Sequence, residues 1–173
     1  MQRRTATDSS GTPFLIFFCI SVHILYLREK NDNMDDKIKF VKINEQDATG
    51  RSFTAVSVFI NGKELTDIIK NAEQQNDKKI LSNYIHLTPS ELYEGLSSAM
   101  MPGSETAENG AEILCCACGC PECWSPVAHV TVDERCVYWT QITHNQMDFD
   151  YKLSYRFNKT EYLYELEKLK HFI

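Results

Sequence analysis

The chain has 173 residues and 43% apolar content, enough for one ordinary domain with a core that needs no covalent cross-links. Its net charge is −6, and the body from residue 34 onward holds all but four of the 18 basic side chains and all but three of the 24 acidic ones. An acidic body without a basic stripe or an RNA-binding aromatic motif argues against nucleic acid as a partner, because such binding needs Lys and Arg to neutralise phosphates.

The first 33 residues stand apart from this body. Arg3 and Arg4 precede a polar stretch, then comes the apolar run Phe14 to Leu27, then the charged segment from Arg28 to Asn33. A helix of that apolar length would span about 21 Å, short of the roughly 30 Å hydrocarbon core. The length suits a signal-peptide core, but charged residues follow it where a small-residue cleavage site is expected. Met34 opens Met34-Asp35-Asp36-Lys37 directly before the first strand-like pattern. Residues 1–33 therefore read as an N-terminal extension, either a start assigned too early or a hydrophobic anchor or signal, and residues 34–173 as a single α+β domain. A cytoplasmic location is expected, with membrane anchoring through residues 14–27 as the alternative.

Lys37 to Ile43 is a short strand candidate. Phe53 to Ile60 alternates through Val56, Val58 and Ile60, as a half-buried strand does. Asn61-Gly62 follows, the strongest two-residue turn signal. Leu65, Ile68, Ile69 and Ala72 then recur at helical spacing and predict an amphipathic helix over 64–73. Gln74 to Lys79 reads as a polar connection. Thr88-Pro89-Ser90-Glu91 is a complete helix start, with Thr88 as cap, Pro89 at the first helical position and Glu91 closing a capping box. Met101 to Gly110 reads as a flexible polar loop.

Ala111 to Cys116 predicts a strand leading into a cysteine cluster. Val127 to Val132 and Cys136 to Ile142 predict a hairpin, joined at Asp133-Glu134-Arg135. Tyr151 to Phe157 alternates without a break and predicts a strand with one wet face. Asn158 caps a last helix whose apolar face carries Tyr162, Leu166, Leu169 and Ile173. Lys168, Lys170 and His171 sit where the negative helix end favours them. The order implies an α+β fold: a small antiparallel sheet packed with two to three helices, with a cysteine-rich loop.

That loop carries the chemistry. Five of the seven cysteines, Cys115, Cys116, Cys118, Cys120 and Cys123, fall within nine residues. Thiols at such density bind a soft metal, do redox chemistry, form disulfides or stay reduced. Cys116 to Cys123 follow C-x-C-x-C-x-x-C, and Gly119 and Pro121 let the backbone turn tightly enough for sulfurs to converge. Thiolates are soft ligands that suit Zn(II), Cu(I) or an iron–sulfur cluster, and zinc takes four of them in a tetrahedron. Zinc is the expected cofactor, held by Cys116, Cys118, Cys120, Cys123 and His144. The chain has no second C-x-x-C at zinc-ribbon spacing, so a further ligand would come from the cluster itself or from His129, Cys136 or His144, which the hairpin brings within reach. Cys120-Pro121-Glu122-Cys123 is also the C-x-x-C of a thiol–disulfide oxidoreductase, although Pro126 opposes the helix that such a site needs.

Other residues have plainer readings. His129 inside a strand and His86 before a capped helix are packing residues, and Trp124 and Trp139 are core or shielding aromatics. Asp148 and Asp150 are solvated loop carboxylates before they are acid/base groups. Asn158-Lys159-Thr160 is formally a glycosylation sequon. No Ser/His/Asp constellation, phosphate loop or dinucleotide fingerprint is present.

Taken together, Cys116-x-Cys118-Gly119-x-x-x-Cys123-Trp124, Val137-x-Trp139, His144, Asp150-Tyr151 and the ending Phe157, Tyr162 and Leu166 resemble a family of small uncharacterised bacterial proteins with a C-x-C-G-x-x-G-C-W core. The resemblance covers residues near 55–170, most strongly 113–166. Glu122 stands where the family usually has Gly, and Cys115 and Cys120 are additional. The resemblance implies a bacterial cytosolic domain in which Cys116, Cys118 and Cys123 are the essential thiols. It implies no activity. The expected role is a protein interaction or regulation through an unknown protein partner, with thiol oxidoreductase and membrane-anchored protein as the alternatives.

Overall fold

The computed structural model describes residues 35–75, 83–118 and 124–172, which belong to a compact unit over Asp35–Ile173. It is an α+β structure. The strands form three antiparallel sheets instead of the single small sheet expected, and four helices are present among the described residues.

The first sheet has the order β1-β2-β3, from β1 (Ile38–Gln46), β2 (Ser52–Ile60) and β3 (Lys63–Glu64). Asn61 (φ 51°) and Gly62 (φ 78°) make the tight turn between β2 and β3, the backbone that an Asn-Gly pair adopts at low steric cost. Helix α1 (Leu65–Gln74) follows at once. It buries Leu65, Thr66, Ile69 and Glu73, while Ile68 and Ala72 are only half-buried. The buried stripe is thus rotated from the expected one, and it brings a glutamate inside.

Helix α2 (Pro89–Ala99) carries the expected capping box: Thr88 Oγ1 accepts from the Glu91 N–H, and the Glu91 carboxylate accepts from the Thr88 N–H. The segment expected to be a flexible loop holds a short helix, α3 (Glu105–Asn109), capped by Ser104, whose hydroxyl accepts from the Ala107 N–H and donates to the Ser98 carbonyl. Gly110 (φ 91°) ends it. A Cβ there would lie 3.1 Å from the Val127 side chain, so only glycine fits.

The expected strand over 111–116 is broken in two. β5 (Ala111–Glu112) pairs with β7 (Pro126–Val132), whereas β6 (Cys115–Cys116) pairs with β4 (Tyr84–Ile85) in a separate two-stranded sheet. Ile113 and Leu114, both fully buried, make the crossing. The largest sheet runs β10-β8-β7-β5, with β8 (Cys136–His144), β10 (Tyr155–Asn158) and a strand missed in the sequence, β9 (Met147–Asp150), paired to β8. The unbroken alternation from Tyr151 to Phe157 does not become one strand. Lys152 takes φ 58°, and the Asp150 carboxylate accepts from its N–H and its Nζ, so the chain turns before β10 begins.

Helix α4 (Lys159–Lys168) is capped by Asn158, whose side chain accepts from the Glu161 N–H. Its Tyr162 and Leu166 close the core over the largest sheet. There Trp139, fully buried, meets Phe157 edge-on at 5.6 Å and donates its indole N–H to the Tyr162 hydroxyl. The Asp36 N–H bonds to the Arg156 carbonyl and ties the first sheet to the third. Ile173, expected on the α4 face, lies outside the described residues.

Candidate metal centre

The described residues that flank the cysteine run are held together. The Ile113 N–H donates to the Pro126 carbonyl at 3.1 Å, and Ala111 and Glu112 pair with Ala128 and Val127. All five clustered cysteines fall between these two fastened positions in the sequence. The incoming side is fastened again where Tyr84 and Ile85 pair with Cys116 and Cys115 and where the Ala117 N–H meets the Asn83 carbonyl at 2.8 Å. The outgoing side is fastened by a reciprocal pair. The Ser125 N–H donates to Asn145 Oδ1 at 2.9 Å, and the Asn145 N–H donates to the Ser125 carbonyl at 3.0 Å.

Within the loop, Cys120 and Cys123 lie outside the described residues, as do Gly119, Pro121 and Glu122. Among those that are described, Cys116 Sγ accepts the Cys118 N–H at 3.5 Å, and Cys118 is exposed. Cys115 differs. Burial, with the carboxylates of Glu112 and Glu91 nearby, pushes its thiol up to about 11, which disfavours the thiolate in the metal-free protein. Among the described residues no three His, Cys, Asp or Glu side chains converge as a metal-binding group.

His144 closes the outgoing side from β8. It is 4% exposed, and Trp124, which is 49% exposed, stands edge-on to its ring at 5.8 Å. Burial lowers its proton affinity, so the ring is neutral. The Gln146 N–H donates to Nδ1 at 3.2 Å, which leaves the proton on Nε2. That Nε2 has no hydrogen-bond partner, and neither has Ser125 Oγ, fully buried two positions before Val127.

The other expected candidates are elsewhere. Cys136 opens β8 at the turn end of the hairpin, while Pro126 pairs with His144 at the opposite end. Eight steps along β8 separate Cys136 from His144, about 26 Å at 3.3 Å each, so Cys136 is far from the His144 end. His129 Nε2 is already bonded to Thr143 Oγ1 at 3.0 Å, and burial lowers its proton affinity against the pull of Asp150. Asp150 itself is partly buried, which works against its ionisation, yet its bonds to Lys152 and Gln141 hold it below the usual carboxylate range. It pins a turn.

Two polar clusters were missed in the sequence. His86 lies between carboxylates, with Nδ1 3.1 Å from Glu45 Oε2 and Nε2 3.2 Å from Glu64 Oε1, and Ser57 donates to the same Glu64 oxygen. The buried Glu73 accepts from the hydroxyls of Tyr84 and Tyr151 at 2.7 and 3.1 Å. Burial, with these neighbours, drives the Tyr151 phenol far up. Glu73 falls four residues after Ile69 and eight after Leu65, so an acid on the helix's apolar stripe was the available signal. Both clusters brace the segment 83–88, whose strand β4 pairs with Cys115 and Cys116.

Among the described residues no helix is long and apolar enough to cross a membrane; the run Phe14 to Leu27 lies outside them. No protein-family model, curated protein or solved structure matches the chain.

Proposed function

We propose that this chain is a cytoplasmic, bacterial binding protein whose cysteine loop holds a structural zinc ion and presents Trp124 to a protein partner. The observation that supports the reading best is the fastening of both sides of the loop above a hydrogen-bonded neck, from Ile113 to Pro126. A tether this short limits how far its cysteines can lie from one another. Cys116, Cys118, Cys120 and Cys123 supply the thiolates, and His144 belongs to the same centre. Zinc, when bound, supplies fixed tetrahedral bonds that tie the loop and add several kcal/mol to folding. The residues around it do the rest: Ser125 and Asn145 hold the outgoing backbone, and the half-exposed Trp124 offers an aromatic contact of the kind enriched at interfaces.

Elemental analysis of the protein purified without chelator, alongside thiol titration, tests this. About one zinc per chain, with thiols released on chelation, is the expected result. Cys118→Ser should release metal and lower Tm. A variant that keeps both would remove the proposal, as would a wild-type protein that reversibly loses two thiols on oxidation and binds no metal.

A further inference from the structure

Asn61 does more than turn the chain, because its carboxamide is held at both ends. Oδ1 accepts the Lys37 N–H at 2.8 Å, and Nδ2 donates to Asp36 Oδ1 at 2.7 Å. The Asn61 N–H also donates to the Lys37 carbonyl at 2.8 Å. Asp36 is in turn fixed to β10. Its other carboxylate oxygen accepts the Arg156 N–H at 2.8 Å, and its own N–H bonds to the Arg156 carbonyl. One side chain at the β2–β3 turn thus grips the start of β1, and that start is anchored on the largest sheet.

An asparagine followed by glycine carries its own reaction. Gly62 has no side chain to hinder its backbone nitrogen, and that nitrogen can attack Cγ of Asn61. A C–N bond forms, the Cγ–Nδ2 bond breaks, and the amide nitrogen leaves as ammonia with the Gly62 proton. Water then opens the cyclic imide at either carbonyl and leaves an aspartate or an isoaspartate. Asn61 and Gly62 are both exposed, so water reaches them. Among the described residues no backbone bond engages the Gly62 N–H. What withholds the reaction is the grip on the carboxamide, since swinging Cγ onto the Gly62 nitrogen gives up the bonds to Lys37 and Asp36. The second Asn-Gly pair, Asn109-Gly110, is restrained at the opposite atom. There the attacking nitrogen is engaged, because the Gly110 N–H donates to the Thr106 carbonyl at 2.9 Å.

We propose that Asn61 is a deamidation site gated by the fold: it keeps its amide while the start of β1 is docked and loses it when that segment detaches. The change is one-way. An aspartate at 61 places a carboxylate oxygen where Nδ2 stood, 2.7 Å from Asp36 Oδ1. Two carboxylates then repel where a donor had met an acceptor. An opening of the first sheet is recorded in the covalent chain and leaves the start of β1 loosened.

Peptide mass spectrometry of the full chain tests this by following amide-to-acid exchange at both Asn-Gly pairs, in native buffer and in urea. Asn61 should react roughly tenfold more slowly in native buffer than in urea, the factor implied when about two hydrogen bonds must break first. Asp36→Ala should raise the native rate at Asn61 severalfold and leave Asn109 unchanged, which separates loss of the grip from general unfolding. A native rate at Asn61 equal to that in urea overturns the proposal, as does an Asp36→Ala chain in which Asn61 gains no more than Asn109. Asn61→Asp should lower Tm, and adding Asp36→Asn, which sets a donor against the new acceptor, should recover part of the loss. An Asn61→Asp chain as stable as the wild type overturns the one-way consequence.

Discussion

At its turn, the β7–β8 hairpin is closed by one aspartate. Asp133 Oδ1 accepts the N–H groups of Arg135 and Cys136, Oδ2 accepts the Tyr138 hydroxyl, and the Asp133 carbonyl accepts from Lys159 Nζ. At the other end of the same two strands, Ser125 Oγ and His144 Nε2 are buried and unmet. The contrast is one of degree, because Thr131 Oγ1, beside the turn, is buried and unmet as well.

On the zinc reading proposed above, removing the ion should break the comparison most strongly. Chelation is expected to lower stability by several kcal/mol and to free the Ser125 and Asn145 amides for hydrogen exchange, while those of Arg135 and Cys136 keep their protection. Equal loss at both ends would mean that the metal supports the whole domain.

Asp133→Ala attacks the satisfied end. It removes three acceptor contacts, one of them to the hydroxyl of the buried Tyr138, and should cost about 1–3 kcal/mol in urea unfolding. Metal content should not change. A near-neutral result would show that the turn is held by its backbone pairing alone.

His129, midway along β7, gives a smaller and pH-dependent effect. Burial holds its folded-state value below the ordinary 6.5. The unfolded chain therefore takes up the proton first, and stability contributed by the neutral ring is present above 6.5 and falls as pH drops below it. The chelated protein should lose stability over that range, and His129→Gln should lose less. Parallel pH curves for the two proteins would contradict the assignment.

Ser125→Ala should have the smallest effect and the opposite character. Deleting a buried hydroxyl with no partner leaves nothing unpaired, so the chelated protein should change by less than about 1 kcal/mol or gain stability. A loss comparable to that of Asp133→Ala would show that the hydroxyl has a partner after all, and the contrast between the two ends would disappear.

Much of this architecture was legible locally. The Thr88 capping box, the Asn61-Gly62 turn and the Asn158 cap are each set by a few neighbouring residues, and each formed as read; β2 formed as a strand, but with Ala55 and Ser57 buried on the face opposite Val56 and Val58, so it is not half-buried as its alternation suggested. Misreadings occurred where a contact distant in sequence, or one missed local bond, overrode a pattern. Tyr151 to Phe157 alternates like a strand, but the Asp150 carboxylate bonds to the Lys152 N–H and turns the chain. Ala111 to Cys116 reads as one strand, but Ile113 and Leu114 enter the core and split it between two sheets.

The same division holds at the candidate centre. The sequence by itself determined that five thiols are concentrated at residues 115–123, because side-chain type and spacing are one-dimensional facts. Only the tertiary structure decided which neighbours that chemistry has. Strand length carries Cys136 away, a threonine across the sheet occupies His129, burial and two carboxylates push the Cys115 thiol up, and the Gln146 amide bonds to His144 Nδ1. Protonation, burial and hydrogen-bond satisfaction depend on what surrounds a group in space, and that is settled when the chain packs.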